Sequence, residues 1–194
     1  MDDPERALLR RAREGDLEAF SEFIHLFERR VRAVLGRLLD DPRDVEEAAQ
    51  DTFVQAWRHL DRFRSEAAPF TWLYRIAVNE ALQRTRRRRP QTSPLEPATD
   101  VERISPESTA VRPLPADVAA GQREEVARLV GEIRALPFES RAPLVLRDIE
   151  GWSYEDVAAV LDISVSAAKS RVHRARLQIT RSLTGMGPGA ASDD

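Results

Sequence analysis

Six of the chain's 12 prolines fall between positions 90 and 115, in "PQTSPLEPATDVERISPESTAVRPLP". Proline has no N–H to give a helix, and this run offers few large apolar residues to bury, so it reads as a linker. A length of 194 residues suits one ordinary domain or two small ones. The proline run favours two: a module over 1–89, a linker over 90–120, a second module over 121–184 and a small polar tail over 185–194. As a flexible coil the linker's ends lie roughly 30 Å apart, and at full stretch it reaches about 100 Å.

Both flanks show apolar residues at three- and four-residue steps, with no sustained alternation, and the expected fold class is therefore all-α. In the first module Phe20, Phe23, Ile24, Phe27, Val31, Val34, Leu35 and Leu38 trace one helix face, which "DDP" at 40–42 ends. A second helix is expected from about 43 to 60, burying Val45, Ala49, Phe53, Ala56 and Leu60. A third, over about 69–86, turns Phe70, Leu73, Ala77 and Ala81 inward. With a short first helix these make a small bundle. The second module reads as four helices, near 121–135, 138–148, 153–161 and 165–183. Ser153 and Ser164 are placed as N-caps, Asp156 stands at the capping-box position, and Gly151 can close the helix before it in a left-handed turn.

Net charge is only −3, yet no acidic residue occurs between Asp162 and Asp193. The last helix therefore cannot cancel its cations internally. Val165, Ala168, Val172, Ala175, Ile179 and Leu183 form its buried stripe. Opposite lie Ser166, Ser170, His173, Arg174 and Arg181, flanked by Lys169, Arg171 and Arg176. A short helix, the turn "DIS" and a second helix with a cationic outer face form the helix-turn-helix pattern. In that geometry the first turns of the second helix reach base edges in the major groove, and later cations grip phosphates. Lys169, Ser170, His173 and Arg174 are the base-edge candidates. A solvated basic face at the end of a bundle is the plainer alternative.

The first module carries a second polar stripe. Trp72, Arg75, Asn79 and Arg86 fall within about 60° on a helical wheel, away from the core face. An aromatic ring, an amide and guanidinium groups on one stripe suit unpaired bases: the ring stacks, the amide reads an edge and the cations hold the backbone. The run "RTRRRR" ending at Arg89 is expected to add phosphate affinity, with a solvated charge run as the plainer alternative. Trp72 packed under the preceding loop is the competing reading. On the neighbouring helix Asp44, Glu47 and Asp51, with Glu46 and Gln50 beside them, form an acidic stripe. It would repel DNA and suits a basic protein partner, with an ordinary solvated face as the plainer alternative.

The chain has no cysteine, which excludes disulfides and Cys-ligated metal. Its histidines, His25, His59 and His173, are scattered, and there is no glycine-rich phosphate loop or metal-ligand spacing, so neither an enzyme nor a metal or other cofactor is expected. No secretion signal or membrane span is legible, and a soluble cytoplasmic protein without membrane insertion is expected.

The segments "GDLEAFSEFIHLF", "DVEEAAQDTFVQAWRHLDRFR", "FTWLYRIAVNEA" and "LPFESRAPLVLRDIEGWSYEDVAAVLDISVSAAKSRVHRARL" together make the chain resemble a bacterial RNA polymerase sigma factor of the extracytoplasmic-function group. The resemblance covers nearly everything outside the linker and tail. It implies a first module that binds core RNA polymerase and melts the minus-ten element of promoter DNA, and a second that reads the minus-thirty-five duplex. Glu47, Gln50 and Asp51, with Asp44 on the same stripe, match the polymerase-clamp surface. Asn79 matches the position that captures a flipped base, with Trp72, Tyr74 and Arg75 around the melting motif. Lys169, Ser170, His173 and Arg174 match the upstream reading helix. Members are commonly held by an anti-sigma factor. Two departures stand out: Ala167-Ala168 replaces the usual Thr-Val or similar pair, and Asp162 stands where glycine is common. The rival function, a polymerase-independent helix-turn-helix regulator, predicts tight duplex binding as a dimer and leaves the Trp72/Asn79 stripe without a purpose.

Overall fold

A computed structural model describes residues 4–63, 68–88 and 120–185. The expected linker, apart from its last residue, lies outside the described residues, as do Arg89 and positions 186–194 of the expected tail. The described residues contain α1 (Pro4–Arg13), α2 (Leu17–Leu38), α3 (Pro42–Arg58), a 3₁₀ turn (Leu60–Arg62), α4 (Pro69–Arg88), α5 (Ala120–Ala135), α6 (Phe138–Leu144), a π turn (Val145–Ile149), α7 (Tyr154–Leu161) and α8 (Val165–Leu183). No strand occurs among them.

Four of the helices, α2, α3, α7 and α8, start where the sequence supplies an acceptor for the orphan N–H groups of the first turn. Asp16 accepts from Ala19 N at 3.0 Å to begin α2. Asp41 accepts from Arg43 N at 2.8 Å, with Pro42 at the first helical position of α3. Ser153 Oγ accepts from Asp156 N at 3.0 Å and donates its hydroxyl to Asp156 Oδ2 at 2.6 Å. Ser164 Oγ accepts from Ala167 N at 3.1 Å. The helix expected over 138–148 is not continuous. Pro143, inside α6, has no N–H to return to the preceding turn, and the chain widens into the π turn, where Glu150 N donates to Val145 O at 3.0 Å.

The apolar periodicity buries most of the residues it should, although Ile24, Val45, Phe70, Val165 and Leu183, also expected inward, are only half-buried at the edges of the clusters. Phe20, Phe23, Phe27, Val31, Val34, Leu35 and Leu38 of α2 meet Ala49, Phe53 and Ala56 of α3 and Leu73, Ala77 and Ala81 of α4. Burial of each large side chain contributes about 1.5–3 kcal/mol. Val172, Ala175 and Ile179 of α8 close a smaller cluster with Leu136 and Leu144.

The two halves do not stand apart. Phe138, Ala142, Val145, Leu146, Trp152, Val157, Val160 and Ala168 join the same apolar cluster as the first module, and α4 packs against α7. Trp152 sits edge-on to Phe70 and Tyr74, at ring-centroid distances of 4.4 and 4.8 Å. Polar ties surround that contact: Arg37 pairs with Glu150 at 2.6 Å, and Arg141, only 7% exposed, donates to Leu38 O at 3.2 Å, Asp40 Oδ1 at 2.9 Å and Leu136 O at 3.3 Å.

Candidate nucleic-acid interface

Helix α8 presents its cations as its stripe requires. Ala168, Val172, Ala175 and Ile179 are buried, and Lys169, Ser170, His173, Arg174 and Arg176 are exposed with Arg171 half-buried. The turn before it is set by Asp162, at φ 55° and ψ 47°. That left-handed residue lets Ile163 N donate to Ala158 O at 3.0 Å, the closure a glycine usually supplies. Asp is tolerated there because its short polar side chain costs less in this region than a branched one.

The six predicted residues on α8 are not equally free. Arg176 is held in a two-pronged pair by Asp148 of the π turn, at 2.8 and 2.6 Å, which raises its pKa above the ordinary arginine value. The Arg174 Nε donates to Ser170 O at 3.4 Å along its own helix. Lys169 Nζ lies 5.7 Å from the centroid of the Tyr154 ring.

On α4, Arg75, Asn79 and Arg86 are exposed along one stripe. Trp72 is half-buried, tilted against Phe63 at 5.2 Å, so it both packs under the preceding segment and borders the stripe. Tyr74 is a different matter. It is 1% exposed beneath Trp152, and burial pushes its hydroxyl pKa up; in this arrangement it supports the stripe from beneath. Arg75 Nη2 meets Asp162 Oδ1 at 2.7 Å, so packing brings the α4 stripe up to the helix-turn-helix turn.

The acidic stripe of α3 is divided between inward and outward duties. Asp44 pairs with Arg88 Nε at 2.7 Å, and the same guanidinium reaches Asp41 at 2.8 Å. Asp51 pairs with Arg84, which also holds Glu80 at 2.9 Å. Glu47 and Gln50 remain exposed. Beside them lies an open cleft of about 390 Å³ between α2 and α3, with Ile24, Phe53 and Val54 as apolar lining and Glu28, Arg32 and Gln50 among its polar groups. Val54 and Trp57 extend apolar surface to solvent. This amphipathic face suits a protein partner better than a phosphate backbone.

Arg84 and Arg88 belong to the run expected to add phosphate affinity, but carboxylates of α3 and α4 and Asp41 engage both; nothing in periodicity or motif points to Asp148. Among the described residues no group of three or more His, Asp or Glu side chains is placed to hold a metal ion, and no helix is long and apolar enough to cross a membrane.

These features define a two-part, all-α protein of the helix-turn-helix class. The Sigma-70 region 2 family model matches residues 23–91, and Sigma-70, region 4 matches residues 127–179. The chain is 34% identical over 182 residues to the RNA polymerase sigma-H factor of Pseudomonas aeruginosa, covering 92% of this chain and 93% of that one. It is 34% identical over 179 residues to the ECF RNA polymerase sigma-E factor of Escherichia coli, covering 89% and 90%. Among solved structures, CnrH in complex with the cytosolic domain of CnrY superposes with a TM-score of 0.68 at 28% identity, covering 94% of this chain and 99% of that one. RpoE in complex with the anti-sigma factor NepR from Bartonella quintana shares the fold, with a TM-score of 0.60 at 23% identity over 87% and 98%. The chain belongs to the sigma-70 family of RNA polymerase sigma factors, in its extracytoplasmic-function group.

Proposed function

We propose that this sigma factor joins core RNA polymerase through the outward face of α3, opens and captures the minus-ten element on α4, and reads the minus-thirty-five duplex with α8. The division into modules over 1–89 and 121–184 follows the same split of labour. The observation that carries the reading is the pairing of unlike surfaces in one chain: an exposed Arg75/Asn79/Arg86 stripe bordered by Trp72, and a recognition helix with no acid of its own. The first suits splayed bases and the second suits paired ones. A helix-turn-helix regulator acting alone needs only the second.

In this reading Glu47 and Gln50 contact the polymerase directly. Asp44 and Asp51 shape that surface from within their pairs with Arg88 and Arg84. Asn79 takes the unstacked base and Trp72 stacks beside it, while Arg75 and Arg86 hold the displaced backbone. Base capture offsets the few kcal/mol lost per unstacked step. The chain supplies specificity and strand opening and performs no catalysis, needs no cofactor or metal, and works in the cytoplasm beside the polymerase. An anti-sigma protein, the kind of partner named in the RpoE–NepR complex, is its expected restraint.

Run-off transcription with core polymerase and a promoter library tests the reading. Start sites should appear only when this protein is added, and binding to the same DNA without core, at fixed salt, should be weak and nonspecific. Core polymerase that neither binds the protein nor gains start-site choice from it would refute the proposal.

A further inference from the structure

The chain has a single lysine, Lys169, among its 30 basic residues, and it stands in the second turn of the recognition helix. Lysine is a point charge on a flexible four-carbon stem. A flexible stem discriminates poorly unless something orders it before DNA arrives. Among the described residues Lys169 pairs with no carboxylate; its neighbour is the ring of Tyr154, 5.7 Å from the ammonium to the centroid, within the roughly 6 Å reach of a cation–π contact.

Tyr154 is itself held firmly. It is the first residue of α7, directly after the Ser153 cap, and its half-buried ring packs against both apolar clusters. Arg147 lies over the same ring at 4.7 Å, and its Nη1 donates to Trp152 O at 2.5 Å. That anchored guanidinium leaves the ring little freedom, and it excludes Lys169 from the position it occupies itself.

Arg176, two turns further along α8, shows the other way to hold a cation: Asp148 grips it and cancels its charge. A ring orders an ammonium without cancelling it. We propose that Tyr154 is a positioning residue for promoter reading, its ring fixing the Lys169 ammonium at the groove-facing edge of α8 so that this cation selects a base. The inference rests on the upstream-reading role proposed above for α8. It adds a residue on α7, outside the recognition helix, to the determinants of specificity.

The lone lysine makes a direct test possible. Reductive dimethylation with ¹³C-formaldehyde labels only Lys169 and the α-amine of the full chain and keeps the lysine charge. In the wild type the Lys169 methyl resonance should show a ring-current displacement. It should persist in Tyr154→Phe and vanish in Tyr154→Leu, with circular dichroism confirming that both variants fold. The second arm uses unlabelled protein with core polymerase and a promoter library randomised in the upstream element. Tyr154→Leu should reduce discrimination about two- to fivefold at the one base pair where Lys169→Gln also does, and Tyr154→Phe should retain it.

An unchanged resonance in Tyr154→Leu, or a uniform loss of activity across all sequences, would overturn the proposal, since a merely structural tyrosine behaves in the second way. A wild-type protein that yields no start sites fails at the earlier functional reading. A wild type that initiates normally while Lys169→Gln leaves the preference intact overturns this inference alone.

Discussion

Arg75 of α4 donates to Asp162 in the turn of the helix-turn-helix, Nη2 to Oδ1 at 2.7 Å, across 87 positions of sequence. One is a predicted contact to opened DNA and the other sets the approach of the duplex-reading helix. Their meeting places two surfaces with separate expected targets against each other. The pair is exposed, 47% for Arg75 and 85% for Asp162, so it contributes at most about 1 kcal/mol and yields easily.

Asp162 has a second role, because it holds a left-handed backbone at φ 55°. Asp162→Gly should remove the ion pair and keep the turn, leaving urea unfolding within about 1 kcal/mol of wild type. Asp162→Val should cost about 1–3 kcal/mol, since a branched residue is strained there. Equal stability of the two variants would show that the turn is not held in this conformation.

Arg141 ties the ends of α2 and α5 to α6 from a buried position. Arg141→Met should leave Leu38 O and Leu136 O without this donor and cost about 2–4 kcal/mol in urea unfolding. Asp40→Asn, on the exposed side of the same contact, should cost under about 1 kcal/mol. A similar loss in both variants would place the energy in the ion pair rather than in the carbonyl bonds.

Trp152 is the largest side chain the second module sets into the first. Trp152→Ala should cost about 3–5 kcal/mol and increase the radius of gyration in small-angle scattering as the modules separate. Trp57→Ala, 41% exposed on α3, should cost less and leave the radius unchanged.

Recognition should divide by residue. Arg174→Ala should cost on the order of 1–3 kcal/mol at one base pair and relax preference there, as a base-edge contact does. Arg86→Ala should weaken promoter binding evenly across sequences and lower its salt dependence. Selection from a randomised promoter library with core polymerase reads both.

Acid should act at the starts of α2 and α3. The Asp16 carboxylate sits below its ordinary pKa because it accepts from Ala19 N–H and then from Arg11. Asp41 is lowered chiefly by its bond to Arg88 and then by Arg43 N–H. A depressed folded pKa means the contribution is full above the ordinary carboxylate value of about 4 and is lost as pH falls through the folded value. Helicity should therefore decline below about pH 4. Asp16→Asn, which keeps an oxygen for the cap, should flatten the Asp16 part of that decline in circular dichroism.

Much of the fold was legible in the sequence because its signals are local. Seven of the eight buried positions of α2, the caps at Ser153 and Ser164 and the alternating three- and four-residue steps of α8 depend only on 3.6-residue geometry and nearby hydrogen bonds. The helix that periodicity carried to 148 does run on to Ile149, but past Leu144 it changes to π bonding, which apolar spacing does not distinguish. The candidate site was half legible. Exposure of Arg75, Asn79, Lys169 and Arg174 followed from their helix faces. Burial of Tyr74 did not, because a residue of the other module, Trp152, covers it.

The sequence by itself determined a chain of helices interrupted by prolines, with a cationic reading face that carries no acid of its own and belongs to a family readable from motif order. Tertiary structure alone decided which charges remain available. Arg84, Arg88 and Arg176 are occupied by carboxylates from other elements, and Arg75 by one from the other module. The physical reason is range: a helix face is set within a few residues, whereas an ion pair depends on how separately coded helices cross, which is decided by the joint packing of their apolar surfaces.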